Sequence, residues 1–261
     1  MLNLTDDSFY AASRADAQSA AVRALAMFEQ GAAVVDVGAE STRPGAKPVS
    51  SDEQIRRLTA FIDALKTQGG FSLVQKISVD TRDIHVMCAM VSLGVKIIND
   101  VSGGNPETYN FVAQEGIDYV LMHTQGGPQT MQVNPQYKDV VAEVESYLCE
   151  RSDQLLQMGA LQHKIIWDVG IGFGKTVSHN LALLKASARF ESHGFRVLWG
   201  VSRKSFIGKI LGEDDAANRL YGTLALQTYL TLRGSSILRV HDVKAMADSV
   251  CMLDALKNND I

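Results

Sequence analysis

Residues 74–123 read VQKISVDTRDIHVMCAMVSLGVKIINDVSGGNPETYNFVAQEGIDYVLMH. Three short runs rich in β-branched and apolar residues stand out: Val74–Asp80, Lys96–Asp100 and Tyr119–His123. Between the first two lies an amphipathic stretch, Ile84–Leu93, followed by Gly94. Strand, helix, glycine, strand is the rhythm of right-handed crossovers between parallel strands. The runs are nearly continuous in apolar character, as expected where a sheet is buried on both faces.

The rhythm extends in both directions. Upstream strand candidates are Leu2–Thr5 and Ala33–Val37; downstream ones are Lys164–Asp168, Val197–Val201 and Ser236–Val240. Helix candidates between the runs include Asp16–Gln30, Asp52–Thr67, Tyr137–Met158, Asn180–Ser192 and Ala216–Leu232. Gly31, Gly94, Gly116, Gly159, Gly194 and Gly234 sit where a helix must end before the next strand, and glycine supplies the left-handed conformation found there. Eight βα units in 261 residues predict an α/β protein built as a (β/α)8 TIM barrel, a fold of about 250 residues. No linker or composition shift interrupts the chain, so residues 1–261 are expected to form a single domain.

Composition narrows the function. The hydrophobic share is 46%, the charged share 21% and the net charge −4, which gives no bulk attraction for nucleic acid. No apolar run reaches the roughly 20 residues needed to span a membrane. The opening MLNLTDDSF lacks the basic and apolar regions of a signal peptide. Cys88, Cys149 and Cys251 lie far apart without a C-x-x-C spacing, and are expected to be reduced core thiols in a cytoplasmic protein.

In such a barrel the C-terminal ends of the strands build the site. Here those ends carry Asn3, Asp36, Asp80, Asn99 with Asp100, His123, Asp168, Ser202-Arg203-Lys204, and Arg239 with His241. Buried carboxylates and amides need partners, and a polar ligand is the natural one when several converge. Asp80, Asn99 and Asp168 suit a flat heterocycle with amine and ring N–H donors. Arg239, His241 and Arg43 suit phosphate oxygens, and Asn3 suits a hard cation such as Mg²⁺ beside them.

Some residues invite sharper readings that fail. Gly170-Ile171-Gly172-Phe173-Gly174-Lys175-Thr176 lacks the P-loop spacing and reads as a flexible loop after the sixth strand. Ser202 and Ser205 have no G-x-S-x-G elbow. His123 reads as a histidine of the core rim, and His85, His163, His179 and His193 as solvated side chains. Asp36 and Asp100 serve equally well as loop caps or as groups that order the site. Glu213-Asp214-Asp215 reads as a solvated loop.

At the strand ends the chain resembles the dihydropteroate synthase family, over essentially its whole length. The segments that carry the resemblance are Leu2-Asn3-Leu4-Thr5-x-Asp7-Ser8-Phe9, Asp36-Val37-Gly38-Ala39-Glu40-Ser41-Thr42-Arg43-Pro44-Gly45-Ala46, Ser78-Val79-Asp80-Thr81 and Ile98-Asn99-Asp100-Val101. They continue with Leu121-Met122-His123, Asp168-x-Gly170-x-Gly172-Phe173-Gly174-Lys175, Ser202-Arg203-Lys204-Ser205 and Arg239-Val240-His241-Asp242-Val243.

The resemblance implies that Asp80, Asn99, Asp168 and Lys204 hold a dihydropterin, with Met122 and Phe173 along its faces. It implies Arg239, His241 and Arg43 on the pyrophosphate, Mg²⁺ on Asn3, and a para-aminobenzoate pocket of Thr42, Pro44, Phe9 and Ser205. It also implies condensation of these two small molecules in folate biosynthesis, and a homodimer formed through barrel helices.

The chain departs from the family pattern at Thr5-Asp6-Asp7-Ser8-Phe9-Tyr10-Ala11-Ala12-Ser13, where the family usually reads Thr-Pro-Asp-Ser-Phe-Ser-Asp-Gly-Gly, and at Val169, where a proline is usual. It also begins within the first strand, so either the family's N-terminal segment or the rest of a fused enzyme is expected upstream. Competing readings are a weakly active pterin-binding paralogue and a methyltetrahydrofolate methyltransferase of a corrinoid system. The latter has no use for Arg239 and His241 as a pyrophosphate grip.

Overall fold

Each predicted strand is followed by a helix in the computed structural model, which describes residues 1–4, 14–40, 48–126 and 134–258. The strands are β1 (Leu2–Asn3), β2 (Val35–Gly38), β3 (Ile77–Asp80), β4 (Ile97–Asp100), β5 (Asp118–Met122), β6 (Ile165–Asp168), β7 (Arg196–Trp199) and β8 (Ile237–Leu238). All pair in parallel, in chain order. The Met1 amine donates to Val240 O at 3.1 Å, bringing the first strand back to the last as a (β/α)8 barrel requires.

The helices are α1 (Arg14–Glu29), α2 (Ser51–Thr67), α3 (Ile84–Ser92), α4 (Pro106–Glu115), α5 (Val140–Gln157), α6 (Val177–Lys185), α7 (Ser187–Glu191), α8 (Ser205–Leu211), α9 (Leu220–Leu232) and α10 (Val243–Asn258). Short polar side chains start several of them by accepting the first free backbone N–H groups: Ser50, Asp83, Asn105, Asp139 and Thr176. Gly31, Gly94, Gly116, Gly159, Gly194 and Gly234 all have positive φ, as their positions at the helix ends predicted.

The elements are shorter than the apolar runs suggested. Phe71–Lys76 winds into a 3-10 turn, and β3 begins at Ile77, the first residue with a ladder partner, Val35. β5 ends at Met122, and the His123 N–H donates to Asp168 O beyond the ladder. The stretch predicted as one helix over Asn180–Ser192 breaks at Ala186 into α6 and α7. Ala216–Arg219 is a 3-10 turn before α9. The cysteines are not core thiols: Cys88 and Cys251 are exposed and Cys149 half-buried, because the helix faces that carry them turn away from the sheet. Among the described residues, no helix is long and apolar enough to cross a membrane.

Alternation along the strands separates two apolar layers. Val35, Val37, Ile77, Val79, Ile98, Tyr119, Leu121, Ile165, Trp167, Val197 and Trp199 belong to one core with the helix faces, such as Leu58, Phe61, Ile62 and Leu65 of α2. Each aliphatic side chain buried there contributes roughly 1.5–3 kcal/mol. The indoles keep their N–H groups satisfied: Trp167 donates to Ser152 Oγ at 2.7 Å and Trp199 to Glu191 Oε1 at 3.0 Å. Val120, Ile166 and Leu198, with Ile237, form a separate cluster on the inner face. Beneath the polar strand ends, a cavity of about 1050 Å³ extends past these residues to Asp118, Arg196 and the α10 side chains Met246 and Val250.

Candidate active site

The alternation that turns Val37, Ile98 and Trp167 outward turns Asp36, Asn99 and Asp168 inward; Asp168 ends β6, Asn99 is one residue short of the end of β4, and Asp36 two short of the end of β2. All three are buried: 8%, 1% and 1% exposed. Asn99 Nδ2 donates to Asp36 Oδ2 at 3.1 Å, and the Gly170 N–H donates to Asp168 Oδ1 at 2.8 Å. Asp36 Oδ1, Asn99 Oδ1 and Asp168 Oδ2 accept no hydrogen bond. A buried acceptor without a donor costs about 1–3 kcal/mol, more when charged. Three such atoms at one end of the barrel mark a site for a ligand rich in N–H donors.

Arg239, just beyond β8, reaches this group from the barrel seam. Its Nη1 lies 3.5 Å from Asp36 Oδ2 and its Nη2 3.5 Å from Asp168 Oδ2. Burial works against the guanidinium charge, but Asp168, Asp36 and Asp80 more than offset it and hold the arginine's pKa above its usual range. Asp80 stands beside Gly38 at the end of β3. Burial, reinforced by the negative charge of Asp36, pushes the Asp80 carboxyl up to about 8, so it carries a proton near neutral pH.

Lys204 enters from the turn after β7. Its ammonium donates to Ile171 O and sits 4.7 Å above the Phe173 ring. Burial, then the neighbouring Arg239, lower it to about 7. Met122, fully buried on β5, is in register with Asp168. These placements bring Asp80, Asn99, Asp168, Lys204, Met122, Phe173 and Arg239 to the same end of the barrel.

The segment after β6 is not the loose loop its glycines suggested. Gly170, Gly172 and Gly174 all take positive φ, and a Cβ on Gly170 would lie 1.9 Å from His123 O. Lys175 folds beneath the turn, only 3% exposed, with Nζ 3.0 Å from both His123 Nδ1 and Phe173 O. Asn180 accepts from the Gly172 N–H, and Tyr137 donates to Gly174 O. Burial lowers the Lys175 ammonium to about 7, with Lys204 adding to the effect against the pull of Asp168. Burial and the Lys175 charge lower His123 to about 3, so the imidazole is neutral and accepts the lysine's hydrogen bond.

Towards the mouth, His241 Nδ1 lies 2.9 Å from Ser202 Oγ, and Arg203 forms a two-pronged pair with Asp242 rather than facing the site. Ser205 opens α8 and is exposed. Asp100 faces outward: Oδ1 accepts from the Ser102 N–H and hydroxyl, and Oδ2 from the Tyr119 hydroxyl. Asp100 therefore caps its own turn, whereas Asp36 points into the barrel and accepts from Asn99. Asn3 ends β1 beside Gly38, where a Cβ would lie 3.7 Å from Asn3 Oδ1. The amide oxygen is a hard donor of the kind that Mg²⁺ takes. Phe9, Thr42, Arg43 and Pro44 lie outside the described residues.

Two residues that sequence reasoning passed over prove central to this geometry. Lys175 stood within a quoted motif, and a lysine following a glycine-rich turn two positions past a phenylalanine was the available signal. Arg57 of α2, only 9% exposed, donates to Leu4 O at 3.2 Å and Ala39 O at 3.5 Å, tying together the chain just beyond β1 and β2. The helical spacing carried a signal: Arg57, four residues before Phe61, flanks the apolar face of α2, whereas its neighbour Arg56 falls on the opposite, exposed face.

A parallel (β/α)8 barrel with unsatisfied carboxylate and amide oxygens at the C-terminal strand ends, ringed by arginine and lysine, defines a barrel that binds a polar heterocycle. The pterin binding enzyme family matches residues 1–241, and the chain belongs to that family. It is 40% identical over 267 residues to the dihydropteroate synthase of Neisseria meningitidis serogroup B, covering 99% of this chain and 92% of that protein. The fold superposes on the Xanthomonas albilineans dihydropteroate synthase with 4-aminobenzoic acid at a TM-score of 0.88, with 36% identity and coverage of 98% and 92%. The same X. albilineans enzyme in complex with 7,8-dihydropteroate gives a TM-score of 0.85 at 33% identity, again covering 98% and 92%.

Proposed function

We propose that this protein is a dihydropteroate synthase, a transferase that joins 6-hydroxymethyl-7,8-dihydropterin pyrophosphate to para-aminobenzoate in folate biosynthesis, releasing pyrophosphate. The observation that carries the reading is the trio of buried, unsatisfied acceptors, Asp36 Oδ1, Asn99 Oδ1 and Asp168 Oδ2. A pterin presents a 2-amino group and ring N–H donors along one edge, which are the donors these atoms lack. In this reading Asp168 takes the amino edge, Asn99 and a protonated Asp80 meet the remaining ring atoms, and Lys204 donates to a ring acceptor. Met122 and Phe173 line the faces of the ring.

The reaction breaks the bond between the pterin methylene carbon and the pyrophosphate oxygen, and the electron pair leaves with the pyrophosphate. The methylene cation that results is delocalised into the reduced ring, and the arylamine nitrogen attacks it and then sheds a proton. Arg239 and Arg43 stabilise the departing charge, where a cation is worth most at the transition state, and His241, lowered to about 4 by burial, meets it as a neutral hydrogen-bonding imidazole. Asn3 would hold Mg²⁺, which supplies Lewis-acid stabilisation of the pyrophosphate oxygens when bound. Thr42, Pro44, Phe9 and Ser205 receive para-aminobenzoate at the mouth.

The same reading includes a homodimer and residence in the cytoplasm. Ile210 and Leu211 of α8, Tyr221 and Leu232 of α9, and Met252 and Leu256 of α10 expose large apolar surface on neighbouring helices, as an interface between copies requires. Three free thiols accord with a reducing compartment.

Pyrophosphate release tests the function. Purified protein with Mg²⁺ and the dihydropterin pyrophosphate is expected to release pyrophosphate only when para-aminobenzoate is added, with dihydropteroate formed in equal amount. Binding of the pterin without arylamine-dependent turnover would overturn the synthase reading in favour of a non-catalytic pterin-binding protein.

A further inference from the structure

Arg239 stands against the carboxylates that the pterin needs. Its guanidinium spans Asp36 Oδ2 and Asp168 Oδ2, each at 3.5 Å, with its side chain 13% exposed. It is seated against the backbone of Gly200, where a Cβ would come within 3.1 Å of Nη2 and 3.3 Å of Nε. The glycine just past β7 thus makes room for the inward position of the arginine. Lys204 comes from the same side of the barrel, but its ammonium is engaged with Ile171 O and the Phe173 ring.

The amino-pyrimidinone half of a pterin contains the same N–C(NH₂)–N unit as a guanidinium. Both present parallel N–H donors in one plane, and both are suited to a carboxylate. Asp168 offers one unsatisfied oxygen, because its Oδ1 is already held by the Gly170 N–H. Arginine and pterin therefore ask for the same atom. A pyrophosphate at the rim presents several anionic oxygens, which a guanidinium grips in two-pronged fashion, and the long arginine stem allows the change of partner.

We infer that Arg239 is a specificity-determining residue: it competes with the guanidine-like edge of the pterin for Asp168 and Asp36, and a pyrophosphate group drawing it to the rim opens the pterin subsite. The inference rests on the pterin and pyrophosphate reading above and adds a coupling between the two halves of the substrate. A pterin without phosphates must displace Arg239 unaided, whereas the pyrophosphorylated substrate carries the group that moves it. The discrimination between them then exceeds what the phosphate contacts supply by themselves. Linkage makes the effect reciprocal, so pyrophosphate and phosphate-free pterin each tighten the binding of the other.

The test is calorimetric titration of the wild-type protein with 6-hydroxymethyl-7,8-dihydropterin in Mg²⁺ buffer, with and without saturating inorganic pyrophosphate. The expected result is an affinity about fivefold or more higher with pyrophosphate, the lower end of ordinary coupling. Arg239→Met is expected to bind the phosphate-free pterin more tightly than wild type does without pyrophosphate, and to ignore added pyrophosphate. Arg239→Lys, which keeps the charge but loses the fork, is expected to show a reduced coupling.

Equal wild-type affinity with and without pyrophosphate would overturn the inference, even if Arg239→Met does not fold. So would weaker binding of the phosphate-free pterin by a folded Arg239→Met. Wild type that binds no pterin under either condition would instead overturn the proposed function on which the inference stands.

Discussion

Asp168 combines near-complete burial, one oxygen held by its own turn and one oxygen without a donor. Asp168→Ala removes the acceptor for the pterin amino edge while leaving the outward face of β6 intact. Pterin affinity is expected to fall at least about tenfold, since a hydrogen bond to a charged group is worth roughly 1.5–3 kcal/mol and the one free oxygen of Asp168 is lost. Fluorescence titration would measure this, and near-wild-type affinity would place the ring elsewhere. Lys175 makes a prediction about stability. Its ordinary pKa of 10.5 falls to about 7 on folding, so between these values the unfolded chain binds more protons and the fold gains stability as pH rises. Lys175→Met removes that contribution. Denaturant midpoints from pH 7 to 10 are expected to climb more steeply in wild type than in the variant, and parallel curves would show that Lys175 is not the group responsible.

Two kinds of sequence information fared differently at the level of elements. Local signals read well: five of the eight apolar runs contain their strand and the other three, at β2, β5 and β7, miss it by one residue at one end, and all six chosen glycines have the positive φ that ends a helix. Boundaries read less well, because a strand lasts only while its neighbours supply ladder partners. Val74–Lys76 has the composition of a strand but lies ahead of the partner strand, and turns as 3-10 instead. Among polar strand ends, alternation alone distinguished Asp36 and Asn99, which face in, from Asp100, which faces out. The turn Gly170–Lys175 escaped the sequence reading because its order comes from long-range contacts to His123, Tyr137 and Asn180. Gly170→Ala would force a Cβ to within 1.9 Å of His123 O at φ +68°. A loss of at least about 2 kcal/mol in denaturation stability is expected, together with weakened pterin binding, given the cost of backbone strain and core clashes. An unperturbed variant would show that the turn can relax without consequence.

Among the described residues, seven of the thirteen large apolar side chains that are exposed lie on α8–α10, with Tyr221 83%, Leu256 75% and Met252 64% exposed. In the proposed homodimer, Met252→Glu with Leu256→Glu is expected to halve the mass seen by light scattering while leaving the circular dichroism unchanged. A wild-type mass of one chain would overturn the dimer, and a two-chain mass unaltered in the variant would place the interface away from α10. The inward and outward layers have a further consequence for how the chain finds this fold. A slip of one residue in β3 would exchange the two faces, setting Asp80 and Ser78 among Phe61, Leu65 and Met87 while Val79 faced the barrel axis. Both errors are costly: an ionisable carboxyl loses its polar surroundings, and a core valine is lost to the outer layer. The groups that recognise the ligand therefore also proofread strand register, and replacing several of them with apolar residues would make the barrel more tolerant of misaligned strands as well as inactive.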